Sequence, residues 1–258
     1  MPDLSTFEYN LVYNLFSFTF ASMFAAFVFF VLARQQIAPQ YRNALVMSAL
    51  VVAVAGYHYF RIFESWSAAY TLVDGTYIAT GEPFNDAYRY IDWLLTVPLL
   101  VAELVYVINP KNRGRLTFTL ATAAALMVIL GYPGEVADSN TTRAVWGFLS
   151  TLPFVYIVWQ LFSGLTDAID EQPEDVKPLV RNIRLLLLGT WGFYPLVYML
   201  PFLGITSSVA LVGIQVGYCL ADVAAKAGYG IMIYVIAAKK SEAAGYTYDS
   251  REPVPAAG

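Results

Sequence analysis

Seven mainly apolar stretches, at about 8–33, 42–66, 86–108, 114–132, 143–165, 178–202 and 207–237, constrain this chain more than any other feature. A membrane-crossing helix needs roughly 20 such residues. Seven of them consume well over half of the 258 residues, leaving short connections and no room for a second folded domain. Only 13% of residues are charged, against about 25% in ordinary soluble domains. The expected fold is an all-α membrane protein, a seven-transmembrane-helix bundle occupying residues 1–240, followed by a disordered cytoplasmic tail at 241–258. Between the second and third spans, Thr71-Leu72-Val73-Asp74-Gly75-Thr76-Tyr77 predicts a short β-hairpin turning at Asp74-Gly75.

Charge and cysteine content exclude several functions. A formal net charge of −4 argues against nucleic-acid binding. A single cysteine, Cys219, allows neither an internal disulfide nor a thiolate metal cluster, and no metal site is expected. Basic residues gather at alternate connections: Arg34 and Arg42; Lys111, Arg113 and Arg115; Lys177, Arg181 and Arg184; Lys239 and Lys240. Arg61 and Arg143 fall at the other end. By the positive-inside rule the amino terminus is outside and the carboxyl terminus cytoplasmic. The first ten residues lack the basic region of a cleavable signal, so no removed peptide is expected.

A charge within a bilayer costs at least a few kcal/mol, so ionisable residues inside the spans suggest function. They are His58 in the second span, Arg89, Asp92 and Glu103 in the third, and Asp222 and Lys226 in the seventh. Interhelical salt bridging is the plain alternative for any one of them. Asp222 and Lys226 are one helical turn apart on one face, which an intrahelical ion pair would explain. A buried lysine among Ala224, Ala225 and Ala227 is also a setting in which an amine forms a Schiff base with an aldehyde. Asp92 and Glu103 are separated by close to three turns, about 16 Å of rise. With a protonated Schiff base on Lys226, that charge and Arg89 balance Asp92 and Asp222.

Three segments carry a resemblance to a known family. Arg89-Tyr90-Ile91-Asp92-Trp93-Leu94-Leu95-Thr96 resembles the counterion segment of microbial rhodopsins, and Asp222-Val223-Ala224-Ala225-Lys226 resembles their retinal-attachment segment. Trp191-Gly192-Phe193-Tyr194-Pro195-Leu196-Val197-Tyr198 resembles the aromatic wall of the retinal pocket. The chain is similar in particular to xanthorhodopsin-like and proteorhodopsin-like bacterial proton pumps. This implies all-trans retinal bound to Lys226 as a Schiff base, with Trp93 and Trp191 sandwiching the polyene. Leu100, Met127, Gly131, Ser150, Thr151, Tyr194 and Tyr198 line the rest, and Leu100 stands where leucine goes with green absorption.

The resemblance also implies roles. Asp92, Thr96 and Glu103 match the outward-proton-pump pattern, with Asp92 as counterion and proton acceptor and Glu103 as proton donor. His58, the sole histidine, resembles the residue that hydrogen-bonds the counterion. Leu211–Gln215 holds no carboxylate where archaeal bacteriorhodopsin places part of its release pair. Gly147 matches a position where glycine opens a side window for a hydroxylated carotenoid antenna, although close helix packing would also use a glycine there. The resemblance further implies a homo-oligomer, a pentamer favoured, in lipid of the bacterial inner membrane, transporting protons. This is a light-driven transporter, not an enzyme. The alternative is a photosensory rhodopsin signalling through a partner.

Overall fold

Helix α1 (Thr6–Ala33) buries Tyr9, Val12, Phe16, Thr19, Met23, Ala26, Phe30 and Ala33, in steps alternating between three and four residues. That spacing keeps one narrow stripe against the rest of the bundle. Phe18, Phe24 and Leu32 on its other faces stay exposed, as suits a helix whose solvent is lipid. The structure is a computed structural model that describes residues 1–137, 139–200, 204 and 207–246. At 28 residues, α1 is about 42 Å long, more than a hydrocarbon core of about 30 Å requires.

The remaining helices follow as α2 (Arg42–Ala69), α3 (Tyr88–Ile108), α4 (Arg113–Glu135), α5 (Asn140–Trp159), the short α6 (Thr166–Asp170), α7 (Lys177–Trp191), α8 (Phe193–Tyr198), α9 (Ser208–Asp222) and α10 (Tyr229–Ala243). Among the described residues six helical segments are long and apolar enough to cross a membrane. The sixth expected span, 178–202, is instead divided into α7 and α8, while residues 201–203 lie outside the described residues. Pro195 explains the division. It has no N–H to give the carbonyl of Trp191, and its ring crowds that carbonyl; α7 ends at Trp191.

The hairpin forms where expected, from β2 (Tyr70–Val73) and β3 (Thr76–Ala79), with Val73 opposite Thr76. Asp74 and Gly75 both have positive φ, 48° and 82°, as the tight turn between twisted strands requires. A strand absent from the sequence reading, β1 (Leu4–Ser5), pairs antiparallel with the outer side of β3. Tyr9 then stacks on Tyr77 with ring centroids 3.7 Å apart, so the sheet closes one end of the α1–α2 pair. This end is called the sheet end below.

The opposite end gathers the connections rich in basic residues. Lys240 Nζ donates to the carbonyls of Val107 and Ile108 at 2.8 and 2.9 Å, supplying donors for the last turn of α3. Arg42 donates to the Tyr246 hydroxyl at 3.1 Å, and Lys111 meets Glu171 at 3.1 Å. The expected tail boundary at 241 falls inside α10, which continues to Ala243; Ser241 is buried and accepts the Ala38 N–H at 2.9 Å. Of the expected disordered tail, residues 247–258 lie outside the described residues.

Candidate functional site

α3 packs against α2 and α9 against α1, and the buried faces of α3 and α9 carry most of the ionisable residues. Between α9 and α10 the chain forms a π-helical segment, Val223–Gly228, that contains Lys226. Such a wider turn shifts the residues after it around the helix, and π-turns occur often at functional sites. Lys226 Nζ lies 2.7 Å from Asp92 Oδ2 and 2.9 Å from Asp222 Oδ2, with all three side chains buried. One amine thus faces two carboxylates from two helices, as the spacing in sequence implies for Asp222 and as no spacing could show for Asp92.

The carboxylates differ in their other partners. Asp222 accepts from the Tyr59 hydroxyl at 2.9 Å and from the Tyr194 hydroxyl. Asp92 Oδ1 is buried and accepts no hydrogen bond from the described residues. Thr96, one turn along, donates to the backbone carbonyl of Asp92 at 2.9 Å and leaves the carboxylate alone. His58 is buried in α2. Its Nδ1 is 2.9 Å from the carbonyl of Val54, and because a carbonyl only accepts, Nδ1 carries the hydrogen in that contact. Among the described residues no hydrogen bond joins His58 to Asp92, so the expected His58–Asp92 contact is not formed here.

Toward the sheet end, Arg89 is buried beneath aromatic rings, its guanidinium carbon 4.6 Å from the Tyr218 ring centroid and 5.8 Å from that of Tyr59. It pairs with Asp86, just before α3, and donates to Gln215 Oε1 at 2.7 Å. The sequence reading passed over Asp86. Its signal is the three-residue spacing to Arg89, which places both on one side of a helical turn.

Glu103 stands apart, eleven residues along α3 from Asp92 and fully buried. Ser48 Oγ is 2.5 Å from Glu103 Oε2 and 3.3 Å from the carbonyl of Ala44. A hydroxyl has one hydrogen. If it serves Ala44, the Glu103 contact is satisfied by a protonated carboxyl donating to Ser48. No feature of the sequence marked Ser48, a small polar residue in an apolar span.

A mostly apolar cavity ends on Lys226. Every residue expected in a retinal pocket lines it: Trp93, Leu100, Met127, Gly131, Ser150, Thr151, Trp191, Tyr194 and Tyr198, and Gly147, expected as a carotenoid window, lines it too. Tyr90, Val97, Phe154 and Tyr218 join them without having been anticipated. The Ser150 and Thr151 hydroxyls donate to the carbonyls of Met127 and Gly147 at 2.7 and 2.8 Å, and Glu135, which also reaches the wall, is ion-paired with Arg143 at 3.4 Å. An apolar cavity closed by a buried amine between two carboxylates fits a long polyene aldehyde held on that amine.

The sequence model of the bacteriorhodopsin-like protein family matches residues 10–240. The chain belongs to the bacteriorhodopsin-like family. It is accordingly a multi-pass membrane protein from a retinal-binding family of light-driven ion transporters, not an enzyme. A crystal structure of xanthorhodopsin, described as a light-driven ion pump with dual chromophore, is 57% identical, with a TM-score of 0.93, covering 96% of this chain and 100% of that one. A crystal structure of thermophilic rhodopsin is 49% identical, also at a TM-score of 0.93, covering 95% and 100%. The green-light absorbing proteorhodopsin of Gamma-proteobacterium EBAC31A08 is 28% identical over 226 residues, 86% of this chain and 84% of that protein. These bacteriorhodopsin-like relatives are seven-helix proteins, so α7 and α8 together make the remaining span.

Proposed function

We propose that the chain is a light-driven outward proton pump with all-trans retinal held on Lys226. The observation that carries this reading is the contact of Lys226 Nζ with Asp92 at 2.7 Å, together with a second buried acid, Glu103, well toward the opposite end of α3. Retinal bound at Lys226 supplies light-driven isomerisation and makes the lysine nitrogen a site that can lose and regain a proton.

Asp92 Oδ2 receives the proton from Nζ. Asp222 is already engaged by the Tyr59 and Tyr194 hydroxyls, and Asp92 makes the shorter of the two carboxylate contacts with Nζ. Glu103 holds a proton against Ser48 and returns it to Nζ from the other side. Arg89 keeps a positive charge on the exit side of the pair, which opposes any positive charge coming back. His58 tunes the acceptor as part of a coupled pair with Asp92.

Orientation follows from the basic connections, all at the end opposite the sheet. Positive-inside retention then puts the sheet and the amino terminus outside, in a bacterial inner membrane. The proton acceptor lies nearer that outer end and the donor nearer the cytoplasm, which gives the outward direction. Leu100 on the cavity wall supports green absorption.

The dual chromophore of the 57%-identical xanthorhodopsin supports a hydroxylated carotenoid antenna at Gly147. A Cβ on Gly147 would meet Tyr198 Cε1 at 2.7 Å, so any side chain there must push aside a residue of the cavity wall. Gly147→Trp is expected to remove any carotenoid contribution from the excitation spectrum of pumping, measured relative to the retinal band of the same variant; a carotenoid contribution surviving in Gly147→Trp counts against the window. Homo-oligomerisation, a pentamer favoured, belongs to the same reading. Light-induced acidification outside illuminated cells, collapsed by a protonophore, tests the pump itself.

A further inference from the structure

The exit side of the site contains a carboxylate that the pumping scheme above does not use. Asp86 precedes α3 and faces two side chains at once. It is ion-paired with Arg89. Gln215 of α9 donates from Nε2 to Asp86 Oδ2 at 3.3 Å while its Oε1 accepts from Arg89 at 2.7 Å. Asp86, Arg89 and Gln215 therefore close a ring in which each side chain touches the other two. Among the described residues no other carboxylate forms an ion pair with Arg89. The Arg89 side chain is 2% exposed and that of Asp86 39%, so the ring has one buried member and one that meets solvent. On its inner side Arg89 lies over Tyr59, whose hydroxyl donates to Asp222. Arg89 thus stands between Asp86 and the Tyr59–Asp222 pair beside Lys226.

We propose that Asp86 is the proton carrier at the sheet end, taking up the proton that leaves Asp92 and passing it to solvent. This rests on the outward-pumping reading. Six residues separate Asp92 from Asp86, about 9 Å of helical rise, too far for a direct transfer. Water is the connecting reactant. The O–H bond on Asp92 breaks, a proton moves along water beside Arg89, and an O–H bond forms on the Asp86 carboxylate. That bond then breaks to bulk water, which leaves both aspartates ionised again. Arg89 remains protonated throughout and acts through its charge and its donors. Gln215 fixes Asp86 against Arg89 and has no proton to exchange.

The test uses the full chain loaded with retinal, with a pH-sensitive dye in the medium and light-minus-dark infrared spectra. In the unaltered protein the dye records proton release, and a carboxylic C=O band arises that shifts with ¹³C-aspartate. Asp86→Asn is expected to keep the visible band and proton transfer from Lys226 to Asp92, to lose one such C=O band, and to slow release about 100-fold, the low end for a positioned proton carrier. Asp86→Glu restores release and moves the band, which a merely structural role would not do. Release from Asp86→Asn on the unaltered time course, or an unchanged set of C=O bands, overturns the role of Asp86 and leaves pumping standing. An unaltered protein that releases no proton overturns the pumping reading and this one with it.

Discussion

Asp92 and Asp222 are the same residue type at nearly the same distance from one amine, and their surroundings divide the work between them. Two phenolic hydroxyls donate to Asp222, while Asp92 makes the shorter contact with the Lys226 amine. Asp92→Asn is expected to abolish pumping and shift the absorption to longer wavelength, because the charge beside the chromophore nitrogen disappears; spectra and pH recording on the purified variant check both. Glu103→Gln is expected to leave the colour unchanged and slow return of the proton to Lys226 by about 100-fold, read in the decay of the deprotonated state. An unchanged decay would remove Glu103 from the route. At this scale the sequence revealed the costly residues, since an ionisable group in an apolar span stands out by itself. It did not reveal their partners. Tyr59 and Ser48 reach the site from α2, and neither is unusual where it stands in sequence, while Asp86 is marked only by its three-residue spacing to Arg89.

Helical elements explain why those residues meet. The π-helical segment at Val223–Gly228 sets the face on which Lys226 emerges, and a pure 3.6-residue reading of the seventh span misses it. Pro195 similarly splits the sixth span where hydropathy alone reads an unbroken stretch. The Asp74-Gly75 hairpin was legible because its turn chemistry is local; β1 was not, because two residues are too few for any alternation to register. Lys240 joins the α10 end to α3, the helix that carries both acids. Lys240→Met is expected to destabilise the protein by about 1–3 kcal/mol, as two buried carbonyls lose their donor. Thermal bleaching of the visible band at a lower temperature would show this, and bleaching at an unchanged temperature would deny the clamp.

Over the whole molecule, sparse charge is partitioned. Basic residues mark the end opposite the sheet, and the few ionisable groups in the bundle run from Arg89 through Asp92, Asp222 and Lys226 to Glu103. Fold class could be read from the apolar stretches alone, whereas the cavity could not, since its wall draws on residues of five spans that come together only in three dimensions. The arrangement is asymmetric along the membrane normal: a cation and carboxylates on one side of Lys226, an isolated acid on the other. That asymmetry is the physical basis for directed transport. The most direct test is the pH of an unbuffered suspension of cells carrying the retinal-loaded protein, recorded as light is switched on. Acidification that vanishes with a protonophore and is missing in Lys226→Ala is the predicted result; alkalinisation, or no change from correctly coloured protein, would contradict it.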